Sequence, residues 1–298
     1  MLWLTAIIFS YLFFALASLG DKIVLAGPSK PKSYTFFVGI FSILAVFLIP
    51  FVGFGFPTGI GLAWVITEAL VYVAGLYALF YALENFEVSR IVPTIGAAQP
   101  VLIAILSFVF FGFERVKGNE VLAFIILLSG SVLISIDKNP KITRNSLEIS
   151  LVSALLFSLD FIFSKFVFLQ MPFWQGFIWM RIVSFVFVLI FLFDKGFRKE
   201  MAEDIGVSKK TGIIFFLAQG AGGAANILQS WAIFLVPVAY LAIINSMKGM
   251  QYVFLFLMVV FLSSFLPGVL KEKMSRGALI QKIASIFLIG LGLAVLVT

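Results

Sequence analysis

The chain has 298 residues, 62% of them hydrophobic and 12% charged, a net charge of +7, and neither cysteine nor histidine. A soluble core could not hide this much apolar surface. The missing residue types exclude disulfides, thiol nucleophiles, histidine proton relays and the usual zinc ligands, so no cofactor or metal site is expected.

Apolar runs of about 20 residues match a hydrocarbon layer of roughly 30 Å at about 1.5 Å per helical residue. Ten are predicted, at 2–22, 33–51, 59–83, 88–111, 119–136, 147–169, 173–193, 211–234, 237–266 and 277–297. The 37 phenylalanines and the lack of polar alternation favour helices over a membrane barrel. The expected class is an all-α polytopic bundle of ten transmembrane helices.

In chain order, the first span contains Ala15-Leu-Ala17, which looks like a signal-peptidase site, but no basic segment precedes it and it is read as a retained helix. The third carries Glu68, Tyr72 and Tyr77, the fourth Gln99 and Pro100, the sixth Asp160, and the seventh Trp179 and Arg181. The connection 194–210, rich in charge, reads as a solvated or interfacial loop. Gly220-Ala-Gly-Gly-Ala-Ala225 in the eighth span and Gly290-Leu-Gly292 in the tenth read as small-residue faces where helix backbones approach closely. The ninth span, long enough to be kinked, holds a polar island from Asn245 through Lys248 to Gln251. Lysine and arginine concentrate in the odd-numbered connections, which places those in the cytoplasm and both termini outside. No aromatic-interleaved basic patch suggests nucleic acid.

The chain repeats itself. Shifted by 143 residues, Leu151 to Lys165 falls on Ile8 to Lys22, with Ser153 on Ser10 and Lys165 on Lys22. Shifted by 150, Trp231-Ala-Ile falls on Tyr81-Ala-Leu. Each half, 1–145 and 146–298, holds five spans, and an odd number of crossings inserts the copies upside down relative to one another. Inverted repeats of this kind characterise transporters.

Two glutamate-containing turns, Gly112-Phe-Glu-Arg115 and Leu270-Lys-Glu-Lys273, each precede a glycine-bearing last helix. Together with Tyr81-Ala-Leu83, Trp231-Ala-Ile233, Pro100 and Arg181, they resemble the drug/metabolite transporter superfamily, in particular its ten-helix EamA-like members. The resemblance covers the whole chain. It implies a transporter of small metabolites or drugs that rocks two inverted bundles about a central cavity lined by the fourth and ninth spans. Met250 stands where the family has a second-half proline, Val38 stands at the first-half place matching Arg181, and the charge bias opposes the family's termini-inside topology.

Ionisable groups at mid-bilayer cost at least about 2.5–3.5 kcal/mol each, so they need a partner, a wet cavity or a function. Lys248, with Asn245 and Gln251 three residues to either side on one helix face, either binds an anionic substrate group, alternates with a proton, pairs permanently with Asp160 or Glu68, or snorkels. Arg181 offers a planar fork that clamps a carboxylate or phosphate, or holds the seventh span to Asp160. Asp160 and Glu68 are the proton-coupling candidates, with static pairing as the alternative. Gln219, Asn226 and Gln229 form a polar stripe suited to a wet cavity. Gln99 is the first-half counterpart of the ninth-span island. Tyr72, Tyr77 and Trp179 either stack on substrate or pack. Lys22 and Lys165 are expected to snorkel, and Glu114 and Glu272 to cap their turns.

The expected function is a secondary active transporter of a small metabolite or drug-like molecule, working by alternating access with possible proton coupling, in the cell (inner) membrane as monomer or homodimer. The alternative is a flippase for a lipid-linked sugar or phospholipid. No Gly-x-x-x-x-Gly-Lys-Ser/Thr motif is present, and no nucleophile or metal cluster supports an enzyme.

Overall fold

The computed structural model describes residues 2–25, 31–86, 88–112, 116–135, 143–203, 209–265 and 276–297. Every regular element among them is helical. Hydrocarbon cannot hydrogen-bond a backbone, so a spanning segment has to satisfy its own N–H and C=O groups.

The elements are α1 (Leu2–Leu25), α2 (Pro31–Phe41), α3 (Ile49–Val52), α4 (Gly59–Asn85), α5 (Val88–Phe111), α6 (Gly118–Ser135), α7 (Arg144–Gln170), α8 (Phe173–Val188), α9 (Lys195–Glu203), α10 (Lys209–Leu235), α11 (Leu241–Ser246), α12 (Gly249–Phe265) and α13 (Arg276–Val297). Short 3₁₀ turns join α2 to α3 (Ser42–Leu48), extend α8 (Leu189–Phe193) and precede α11 (Val238–Tyr240). Nine spans among the described residues are long and apolar enough to cross a membrane. The molecule is a multi-pass helical bundle.

The second predicted span is the exception, a shorter apolar run from Phe36 to Val52. Ser42 turns its hydroxyl back onto the Gly39 carbonyl at 2.6 Å, and Pro50 has no N–H to give. Both features work against a regular helix. The 194–210 connection also differs from expectation. Its first part is α9, because Phe197, only 4% exposed, seats against Phe36 at 5.2 Å. The turns holding Glu114 and Glu272 and the side chain of Lys22 lie outside the described residues.

Packing runs between the two halves of the chain. α1 packs most extensively on α10, α4 on α7, and α6 on α13, with α5 also lying along α7. Ser10 Oγ donates to the Ala225 carbonyl at 2.8 Å, while Gly20 faces Ala218 and Gly222 faces Ala17, so α1 and α10 are antiparallel. Ser153 Oγ donates to the Gly75 carbonyl at 3.4 Å, and Trp64 stacks on Phe166 at 4.4 Å, so α4 and α7 are antiparallel too. Gly130 and Gly292 let α6 and α13 approach, since a Cβ on either would sit 2.8 Å from Ile289 or Leu127 side-chain carbons. Gly290 has open space beside it and does not serve this contact.

The ninth predicted span is broken. α11 ends at Ser246, α12 begins at Gly249, and Met247-Lys248 form a turn between them. The backbone groups released by the break find side-chain partners: Tyr11 Oη donates to the Ile244 carbonyl at 2.7 Å, Ser131 Oγ donates to the Ser246 carbonyl, and Gly249 N–H donates to Ser131 Oγ at 3.0 Å. α5 carries Pro93 and Pro100 in its interior and still runs as one helix. Placement of the break thus follows the available partners more than the prolines.

Candidate functional site

α1, the second span, α8 and α10 enclose a cavity of about 510 Å³. It lies alongside Phe14, Ala17 and Ser18, just past the middle of α1, and Phe216 to Ile227, which straddle the middle of α10, so it lies at mid-bundle. Leu44, Phe216, Gly220 and Gly223 of its wall are exposed. One end of the bundle is filled by aromatic rings: Phe173 packs on Trp231 at 4.6 Å, Phe168 at 5.4 Å and Phe177 at 5.9 Å, and Trp231 on Phe234 at 5.4 Å. Aromatic pairs of this kind contribute about 0.5–1.5 kcal/mol each beyond the area they bury. Trp179 belongs to that end, stacked on Phe54 at 5.1 Å and donating Nε1–H to the Gly55 carbonyl at 2.8 Å, so packing accounts for it.

The small residues of α10 do not bring helix backbones together along their whole length, contrary to expectation. Ala218 meets Gly20, but Gly220 and Gly223 have nothing within 4 Å of a built Cβ. Their missing side chains leave cavity volume.

The inner end of the cavity is ionic. Arg181, 8% exposed, lines it and donates from Nη2 to Glu68 Oε1 at 3.2 Å. Glu68 is fully buried behind the guanidinium. The guanidinium lies over the Tyr72 ring at 4.9 Å and the Phe177 ring at 5.7 Å, both part of the wall. Asp160, from α7, acts electrostatically on both Glu68 and Arg181. Glu68 Oε2, Asp160 Oδ1 and Arg181 Nε are buried without a hydrogen-bond partner. The sequence reading paired Arg181 with Asp160; its direct ion pair is with Glu68, and Asp160 is the third member. The backbone carbonyl of Arg181 also accepts from Ser42 Oγ at 3.2 Å, which ties α8 to the second span.

Lys248 stands apart from this group. It sits in the α11–α12 turn, half-buried, and its ammonium donates to Gln99 Oε1 at 3.2 Å. No carboxylate of the described residues pairs with it, which removes the expected ion pair with Asp160 or Glu68. The helix break also separates Asn245, Lys248 and Gln251, which were expected on one continuous face. Asn245 is buried with Oδ1 unpartnered, while Gln251 reaches Ser18 Oγ at 3.0 Å and so touches the cavity wall from behind. Of the α10 stripe, Gln219 and Asn226 line the cavity, and Asn226 Nδ2 donates to its own helix at the Gly222 carbonyl, 3.0 Å. Gln229 is not in the wall; it interacts with the Tyr11 hydroxyl. Tyr77 is half exposed and stacks on Phe191 at 5.7 Å, away from this cavity.

Lys165 does not snorkel. It is 5% exposed, and its ammonium donates to the carbonyls of Ile233 (3.0 Å), Phe234 (3.1 Å) and Val236 (2.6 Å) at the C-terminus of α10. A cation there satisfies carbonyls that have no helical partner. Sequence reasoning also missed Glu120, whose carboxylate accepts from Lys117 N–H at 2.8 Å and from the Tyr240 hydroxyl at the start of α6. Its place in the first turn of a predicted span was a usable signal, since that is where a helix favours an acid. Ser18 and Ser42 carried no such signal, because a lone serine in an apolar run reads as helix packing.

No family model and no curated protein matches the chain. Among solved structures, one described as the crystal structure of a protein superposes with a TM-score of 0.70 over 98% of this chain and 97% of its own, at 18% identity. At that identity the similarity carries the fold alone.

Proposed function

We propose that the chain is a secondary transporter of the ten-helix drug/metabolite type, carrying a small metabolite or drug-like solute by alternating access across the cell membrane. The observation that carries this reading is the cavity: it reaches the middle of the bundle, ends on a buried ionic cluster, and is backed by a plug of aromatic rings. A static scaffold has no use for a site of this size with a buried ionic cluster at its end.

The repeat supports the same reading. Ser153 is Ser10 shifted by 143 residues, and Ala225 is Gly75 shifted by 150, so the Ser10–Ala225 and Ser153–Gly75 hydrogen bonds form one contact made twice with the halves exchanged. The pairing of α1 with α10 and of α4 with α7 follows the same exchange. Two inverted halves, 1–145 and 146–298, rocking against one another would expose the cavity to the two sides of the membrane in turn. The broken α11–α12 segment, with Lys248 at its turn, is the kind of discontinuous helix that places polar groups at mid-membrane in transporters. Glu68 and Asp160 are the proton-carrying groups. The basic odd-numbered connections favour both termini outside.

Reconstituted into liposomes, the protein is expected to carry at least one solute from a broad metabolite panel, with flux that responds to a pH gradient and falls sharply in Lys248→Ala. Absence of flux across the panel overturns the reading. A flippase for a lipid-linked sugar or phospholipid is favoured by one observation, the exposed Leu44 and Phe216 at the cavity rim. Mass spectrometry finding one stoichiometric polyprenyl-phosphate lipid in the purified protein would select it.

A further inference from the structure

We propose that the solute is an organic anion with an apolar body, and that each anion binds together with one proton: the acidic group takes the cavity-facing donors of Arg181, and the proton resides on the Glu68–Asp160 pair. This inference rests on the transporter reading above and names the substrate class of the same site.

The order of the groups decides the sign of the ligand. A solute in the cavity meets the guanidinium, because Arg181 is in the wall, whereas Glu68 is wholly buried behind it. An arginine stays charged and offers five donors. One is bonded to Glu68 and the group also engages Tyr72, while the part of the side chain that stays accessible, 10% of it, opens on the cavity. Phe14, Phe41, Tyr72 and Phe177 of the wall, with open space beside Gly220 and Gly223, leave room for an apolar body.

The charge count decides the proton. Two carboxylates face one guanidinium, and an arriving anion adds another negative charge where water is scarce and charge repulsion is strong. With both carboxylates ionised the cluster carries one net negative charge, and a monoanion joins it without raising that charge only if one proton enters with it. Glu68 Oε2 and Asp160 Oδ1, both unpartnered, are the places for it. The titratable groups facing the cluster are Glu68 and Tyr72 from α4, Asp160 from α7 and Arg181 from α8; the described side chains of α2, the Ser42–Leu48 turn, α5 and α10 add none. Lys165, five residues beyond Asp160, is engaged with the carbonyls that end α10.

The test is calorimetry on the full-length protein in detergent, with benzoate, indole-3-acetate and benzenesulfonate as anionic probes and benzylamine as the cationic counterpart. Each titration is repeated in two buffers of different ionisation enthalpy, so that bound protons are counted. At least one anion is expected to bind with uptake of about one proton, and benzylamine not to bind. E68Q/D160N should bind that anion without proton uptake. R181Q should weaken it at least tenfold; if R181Q does not fold, the charge-balanced R181Q/E68Q/D160N replaces it and should show the same loss. Failure of all three anions to bind, binding without proton uptake, or tighter binding of benzylamine overturns the proposal. Liposome flux of a cation or neutral solute with none of an anion would end this inference and leave the transporter reading standing, whereas absence of any flux ends that reading itself.

Discussion

Two faces of the bundle are built alike and filled differently. On the α4–α7–α8 face stand Glu68, Tyr72, Asp160 and Arg181, packed into an ionic cluster. On the α1–α10–second-span face, the residues at the repeat-matched positions are Ala218, Gly222, Ala17 and Val38, and all four line the cavity. One half of the proposed repeat spends this volume on charged side chains, and the other leaves it empty. If the two halves are copies, the site is asymmetric through its side chains alone.

The comparison can be broken most forcefully at the cluster. Arg181→Ala leaves two buried carboxylates without their cation and is expected to cost about 3–5 kcal/mol of stability, read as a fall in unfolding midpoint. Adding E68Q and D160N should recover most of that, and an Arg181→Ala protein as stable as the parent would show that the cluster is not a buried ionic group. On the empty face, the Cβ of Gly223→Phe meets nothing within 4 Å, so the change should alter stability by no more than about 0.5 kcal/mol, yet abolish flux by filling the cavity. Retained flux would move the site elsewhere.

Smaller effects sharpen the symmetry. Ser10→Ala and Ser153→Ala each remove one copy of the repeated hydrogen bond, and about 1 kcal/mol is expected for each, with the 2.8 Å bond of Ser10 costing more than the 3.4 Å bond of Ser153. Denaturant unfolding of the two variants side by side makes the comparison; a large cost at one and none at the other would deny that the contacts are equivalent. Smallest of all, Gly220→Ala meets nothing within 4 Å and should stabilise α10 by about 0.5–1 kcal/mol, seen as a small rise in melting temperature.

Much of this architecture was legible in the amino-acid order. Apolar run length located the long spans, and the internal repeat pointed to Ser10 and Ser153 before either had a partner. Glu68, Asp160, Arg181 and Lys248 stood out because charge is costly at mid-bilayer, and the structure brings the first three together with Tyr72, which stood out only as an aromatic. Their partners were less legible, since pairing depends on which helices cross: Arg181 reaches 113 residues back to Glu68, and no local spacing encodes that. Of the readings open for Lys248, the structure removes the ion pair with Asp160 or Glu68, because its turn reaches Gln99 instead. Lys165 was assigned to headgroups because its position near a span end is the same for a snorkelling lysine and for one capping a neighbouring helix. The glycines of α10 were assigned to close packing because an empty volume and a tight contact call for the same small residues.

The most direct test uses the absence of cysteine from the natural sequence. Gly223→Cys introduces one thiol on the cavity wall, and in oriented liposomes a membrane-impermeant maleimide added to one face of the membrane should label it, at a rate slowed by the solute the protein carries. A thiol that no external reagent reaches from either face, or one whose labelling is indifferent to every transported solute, would contradict the claim that this cavity is the transport site.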